Sequence, residues 1–359
     1  MPTQKIRIYF TNWVDTYNFN AQSLNAREIA LRLDPAQFES TLLYEQTPDP
    51  RVLNHANIHL VRIPPRLGTV MMLAQAFQQQ DIIFRLNLTH FAYLFLHIPF
   101  FLRSRIKLVD WLEGYELDSR ERSQLTARQL IYLDYIQPRI PNRVAITDAV
   151  GEAWTQVFGS APITTIPVGV DTKQFVPPRA RTHTRPVVLY VGALIERKCP
   201  HVVLLAAKCF RDADFILVGS PRGDFYKHLH VLQAKWRLEN VTFKDLLPHP
   251  QLAQLMQQSD ILLHPSKSEG LPKVVLEGAA TGLPAIILKH YRAPAVLDGE
   301  TGFQVDNVAE VMQRLDLLLH DPNARRRMGS AAVEYVQRFD WDNIVRQWQA
   351  VFVHLANQP

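Results

Sequence analysis

The chain has 359 residues, 47% of them hydrophobic and 20% charged, with a formal net charge of +5. That profile fits a globular chain with apolar material for two ordinary domains. Its two cysteines, Cys199 and Cys209, offer no disulfide framework, and its charge forms no basic stripe of the kind that coats nucleic acid.

The opening residues, MPTQKIRIYFTNW, lack the apolar core and cleavage site of a secretory leader, so the chain reads as cytoplasmic. Strands are expected first at KIRIYF, STLLYE, IHLVRI and DIIFRL. The apolar run FAYLFLHIPFFL, residues 91–102, is too short for a bilayer span of roughly 20 residues. A buried helix is expected there, and the RSRIK that follows also suits contact with the inner membrane face. Further strands are expected at IKLVDWL, RVAIT and ITTIP, and then at VVLYVG, DFILVG, NVTF, DILLHP and AIIL.

Segments of helical period separate these runs, which predicts parallel sheets covered by helices on both faces. Twelve strands exceed one ordinary sheet of this kind, so two doubly wound, Rossmann-like α/β domains in tandem are expected. The Pro-, Thr- and Arg-rich stretch 166–186 marks the boundary. The expected division is 1–168, 169–340 and a closing helix over 341–359 packed back on the first domain. That tail spaces Ile344, Val345, Trp348, Val351, Phe352 and Leu355 with helical period. The default ligand site of such a pair is the cleft at the carboxyl ends of the strands.

One stretch carries chemistry: SEGLPKVVLEGAATGLPAI, residues 268–286. Pro272 suits the first turn of a helix, and Gly282 with Pro284 suits its end. Glu269 then lies in the loop before the helix and Glu277 inside it. Free amides around Gly270, Leu271 and Lys273, with the helix dipole, would receive an anion such as phosphate. The flanking carboxylates would repel phosphate, so they must hold neutral hydroxyl donors beside it. Sugars joined through a diphosphate fit that pattern. A capping role for Glu269 and a surface role for Glu277 are the plainer alternatives.

The whole run resembles the E-x7-E region of family 4 retaining glycosyltransferases, which have the GT-B fold. TTIPVGVDTKQFVP resembles their domain crossover, and VLYVGALIERK resembles their phosphate-binding strand and loop. VTFKDLLPHPQLAQLMQQSDILLHPSKSEG and VLDGETGFQV follow in the family's order, so the likeness spans about 163–306. The resemblance implies a nucleotide diphosphate sugar as donor substrate and no other cofactor. It implies Glu277 on the donor ribose, Glu269 on the transferred sugar, and Gly192 and Lys198 at the diphosphate. Arg197 would supply a charge that the family keeps directly after that glycine, where this chain has Ala193. Backbone near Leu247 would contact the nucleobase. Retention at the anomeric carbon, without a metal, is what the resemblance implies.

The first half departs from the family's pattern. Asn20-Ala21 stands where a Gly-Gly loop is common, and Glu113 stands near an expected histidine. Glu113 is therefore a candidate base or acceptor contact, the acceptor being a glycan or lipid-linked hydroxyl in polysaccharide or glycolipid synthesis. The triplets Asp212-Ala213-Asp214 and Asp340-Trp341-Asp342 begin a strand and a helix, poor contexts for a metal. Two other classes stay open: a partner subunit that keeps the fold without turnover, and a sugar-nucleotide epimerase on the same fold.

Overall fold

The computed structural model describes residues 5–16, 21–63, 81–85, 107–114, 142–159, 162–179, 184–221 and 223–358, with single positions at 127, 130, 134 and 140. Two compact units emerge: residues 1–168 together with 341–359, and residues 169–340.

The first unit is built on a parallel sheet of β1 (Ile6–Trp13), β2 (Phe38–Tyr44), β3 (Ile58–Arg62), β4 (Ile82–Arg85), β5 (Lys107–Leu112), β6 (Asn142–Ala145) and β7 (Thr164–Thr165). The order is β3-β2-β1-β4-β5-β6-β7, so the winding reverses between β1 and β4. Every pairing is parallel. Central strands of such a sheet are covered on both faces, and Ile8, Tyr9, Phe10 and Phe84 are accordingly buried.

The last helix, Trp341–Ala356, belongs to this unit. Its apolar stripe buries Trp341, Ile344, Val345, Trp348, Phe352 and Leu355. Trp348 meets Phe84 edge-on at a centroid distance of 4.6 Å and Trp111 at 5.1 Å. Edge-to-face contacts of this kind add about 0.5–1.5 kcal/mol beyond the area buried. An ion pair from Arg32 Nε to Asp342 Oδ1, at 3.2 Å, ties the start of the same helix to the unit.

The second unit holds β8 (Val187–Val191), β9 (Asp214–Val218), β10 (Val241–Lys244), β11 (Ile261–His264), β12 (Ala285–Leu288) and β13 (Gly302–Val305). Their order is β10-β9-β8-β11-β12-β13, all parallel. Here the winding reverses between β8 and β11. β13 is an edge strand that propensity does not predict. A Cβ at Gly302 would come within 2.3 Å of the Ala285 carbonyl oxygen, so glycine is what lets this strand lie against β12.

The helix in the 268–286 stretch differs from expectation by one residue. It runs Lys273–Ala280, and Pro272 is its N-cap rather than its first residue, with extended backbone (φ −71°, ψ 112°). The Pro272 carbonyl accepts the Val275 amide at 3.0 Å, so the proline starts the helical bonding without entering it. Asn20 and the apolar run 91–102 lie outside the described residues. Among the described residues, no helix is long and apolar enough to cross a membrane.

Candidate functional site

In an open parallel sheet, ligands bind beyond the carboxyl ends of the strands where the winding reverses. In the second unit that point lies between β8 and β11, and both strands end in polar loops there. β8 runs into Gly192, Ala193 and a short 3₁₀ turn, Glu196–Lys198. β11 ends at His264 and runs into the loop that carries Glu269.

These loops meet through side chains. Lys198 Nζ donates to Glu269 Oε1 at 2.6 Å. His264 Nε2 lies 3.3 Å from the same oxygen. Arg197 donates to the Ser268 carbonyl, and its Nη1 lies 4.0 Å from Glu269 Oε2. The Lys267 amide donates to the Arg197 carbonyl at 3.0 Å, which laces the two loops together. Burial pushes the Glu269 carboxyl up, but the His264 hydrogen bond and the Lys198 charge outweigh it and hold the group well below the usual carboxylate range. Glu269 is thus an anion at neutral pH.

Glycine makes this closeness feasible. A Cβ at Gly192 would lie 3.2 Å from Tyr190 Oη and 3.3 Å from Lys198 Cδ. At Gly219, after β9, a Cβ would fall 1.8 Å from the Gly192 carbonyl oxygen. The Gly192 amide meanwhile donates to the Val218 carbonyl at 2.9 Å. The backbones after β8 and β9 therefore touch, and no side chain fits between them. Ala193 carries no charge, yet its carbonyl accepts the Tyr190 hydroxyl at 3.1 Å and fixes the ring beneath the site.

Beyond Glu269 the chain enters the helix head. No side chain caps the helix. Among the described residues, the amides of Gly270 and Leu271 have no partner within the protein. Lys273 opens the helix and Glu277 follows one turn later. Glu277 is buried, 5% exposed. Among the described residues, no hydrogen bond or ion pair reaches its carboxylate. Its oxygens are nevertheless not shut off from solvent, so the carboxylate is open to the donors of a ligand.

The structure therefore brings together Gly192, Arg197, Lys198 and Glu269; Gly270 and Leu271 follow in the loop that leads to the helix, Lys273 opens that helix, and Glu277 lies one turn into it. Leu247 stands apart in the loop after β10, the far edge strand of this sheet, and is half-buried. Glu113 belongs to the first unit, just past β5, where its Oε1 accepts Asn25 Nδ2 at 2.8 Å. Sequence reasoning missed His264 altogether. Its signal was present: β11 is buried at all four residues, and a histidine closing an apolar strand must find a partner. Sequence reasoning also missed the direct pairing of Lys198 with Glu269, because the two lie 71 positions apart.

A cavity of about 570 Å³ lies at the opposite, amino end of this sheet, lined in part by Asp260, Thr281, Gly282 and Arg325. Its polar groups serve the fold. Asp260 Oδ2 accepts the Val187 amide at 2.8 Å, Thr281 Oγ1 donates to the Gly278 carbonyl at 2.9 Å, and Arg325 donates to the Leu319 carbonyl at 2.8 Å. Among the described residues, no group of acidic, histidine or cysteine side chains could hold a metal ion.

Residues 171–335 match the model of the family described as glycosyl transferases group 1. A D-inositol 3-phosphate glycosyltransferase of Corynebacterium diphtheriae is 32% identical over 182 residues, which cover 47% of this chain and 42% of that protein. The matched segment thus spans less than half the length of that relative. Among solved structures, sucrose-phosphate synthase from Thermosynechococcus elongatus superposes with a TM-score of 0.81 at 21% identity, covering 98% of this chain and 99% of that one. Anabaena Alr3699/HepE in complex with UDP-glucose gives 0.76 at 20% identity, covering 97% and 100%. The fold is GT-B, and residues 171–335 of the second unit are similar to the family of group 1 glycosyl transferases.

Proposed function

We propose that this chain is a retaining glycosyltransferase, of family 4 type, that moves a sugar from a nucleotide diphosphate sugar to a hydroxyl acceptor. The observation that carries this reading is the arrangement around the β8–β11 switch. An ionised Glu269 is held by Lys198 beside open amides, and one turn into the helix that follows stands Glu277, whose solvent-accessible carboxylate has no protein partner among the described residues.

In this reading Glu277 accepts the ribose hydroxyls of the donor, and Glu269 accepts hydroxyls of the transferred sugar. An ammonium has three donors, so Lys198 spends one on Glu269 and turns the others to the diphosphate. Arg197 and the amides of Gly270 and Leu271 add positive potential at the same place. As the bond from the anomeric carbon to the phosphate oxygen breaks, its electron pair stays on the diphosphate, and these donors stabilise the growing charge. The acceptor oxygen bonds the same face of that carbon, and its proton passes to the departing phosphate oxygen. The chain's own cations suffice for this chemistry, so no metal or further cofactor is invoked.

The first unit, with Glu113 fixed by Asn25, holds the acceptor, a glycan or lipid-linked hydroxyl. The working location in this reading is the cytoplasm, with the inner face of the membrane for a lipid-linked acceptor. The nucleobase rests on backbone near Leu247.

The test is thermal stability against UDP-, GDP- and ADP-sugars, for wild type and Glu277→Ala. A ligand that binds only the folded chain raises the melting temperature. One donor should stabilise the wild type, and the variant should bind it with an affinity lower by about 1–3 kcal/mol, the worth of hydrogen bonds to a charge. Equal binding by a folded variant removes the ribose assignment.

A further inference from the structure

We infer that His264 is a positioning residue of the donor site: it pins one oxygen of Glu269 so that the other is presented to the transferred sugar. The inference rests on the donor-site reading above. His264 closes β11 and is fully buried. Its ring lies nearly parallel to that of Tyr190, 20° between planes and 6.2 Å between centroids. Tyr190 is also fully buried, and its hydroxyl is tied to Ala193. The imidazole is thus backed by a ring that cannot itself turn.

From that fixed seat, His264 Nε2 reaches Glu269 Oε1 at 3.3 Å. Among the described residues, His264 Nδ1 is buried without a hydrogen-bond partner. A proton on Nδ1 would be a buried donor with nothing to bond, so the favoured tautomer carries it on Nε2. Burial pushes the ring's pKa down more strongly than the Glu269 hydrogen bond raises it, which keeps the ring neutral. His264 therefore gives Glu269 one directed hydrogen bond and adds no charge.

The two oxygens of Glu269 are consequently unequal. Oε1 takes both Lys198 and His264. Oε2 has Arg197 Nη1 at 4.0 Å, outside hydrogen-bond distance, and no hydrogen bond among the described residues. Lys198 is a poor anchor by itself, because its stem is flexible and the diphosphate attracts the same ammonium. The histidine does not compete for phosphate, and it holds Glu269 in place when Lys198 turns toward the donor.

The experiment uses the full chain with His264→Leu, which keeps an apolar side chain in the buried strand, and His264→Gln, which restores an N–H donor. Affinities for UDP, GDP and ADP are measured beside those for the matching nucleotide-glucose donors, together with kcat and KM for donor turnover. The ratio of the two affinities isolates the part due to the sugar. His264→Leu should keep nucleoside diphosphate affinity within about twofold, lose most of the sugar's share, and turn over roughly 10-fold or more slowly, as for a lost hydrogen bond to a charge. His264→Gln should regain part of both losses. A His264→Leu variant that matches wild type overturns the inference alone, as does one whose nucleotide and sugar affinities fall together. A wild-type chain that answers to no nucleotide sugar refutes the donor-site reading, and this inference with it.

Discussion

Lys198→Met keeps the length and apolar stem of the side chain and removes its charge. In the native site the ammonium lies 2.6 Å from Glu269 Oε1, with the two side chains 19% and 12% exposed. Removing one partner of a buried pair leaves the other charge stranded, at a cost of about 3–5 kcal/mol. Here His264 retains a hydrogen bond to the carboxylate, and Arg197 stands near its second oxygen. The lower end is therefore expected, about 3 kcal/mol, which for a unit of this size is roughly 6–12 °C in Tm. Glu269→Gln should cost less, because a flexible lysine can carry its charge toward water. The double variant should recover most of the loss, since its glutamine still accepts from His264 and no charge is stranded.

The assay is differential scanning calorimetry of all four proteins without ligand, at pH 7 and again at lower pH. The pKa of Glu269 is depressed in the folded state, so its stabilisation is present above the ordinary glutamate value and is lost as the pH falls through the folded value. The gap between wild type and Lys198→Met must therefore narrow below about pH 4.3. A drop of less than about 2 °C, or a double variant as unstable as Lys198→Met, would refute the reasoning.

Glu28 provides an acid-stability test in the first unit. Burial pushes its carboxyl up, but Arg27, Arg51 and Arg32 more than reverse this and hold it down to about 2. The unfolded chain binds the proton more readily, so about 3 kcal/mol of stability should vanish between roughly pH 5 and pH 2. Chemical denaturation across that range should show a shallower slope for Glu28→Gln. Gly219→Ala places a Cβ inside the Gly192 carbonyl, so a loss of about 3 kcal/mol or more is expected, at the top of the range for overpacking; an unchanged Tm would show that the two loops separate easily. Trp348→Ala should cost about 3–5 kcal/mol by emptying the space between Phe84 and Trp111. In urea titrations of both variants Trp348→Phe should cost clearly less, because it keeps a ring and removes an indole N–H that has no partner among the described residues.

Local information in the chain was enough for much of the fold. The β-branched runs and their helical spacers imply parallel doubly wound sheets, because a strand buried on both faces must be apolar along its whole length. The stripe from Ile344 to Leu355 likewise marks an amphipathic helix by its period alone. The stretch around Glu269 showed a loop, a helix head and two carboxylates, since proline, glycine and charge act through local backbone geometry and solvation.

Tertiary structure decided what is not local. β13 exists because Gly302 admits the backbone of β12, a contact that propensity does not encode. Pro272 became a cap rather than a first residue because its carbonyl, not its ring, meets the helix. Lys198, His264 and Glu269 converge because β8 and β11 are neighbours in a sheet whose order differs from chain order. Only that adjacency takes His264 out of water and gives its ring one carboxylate oxygen to hold, so the histidine's part in the site was decided by the packing of the sheet.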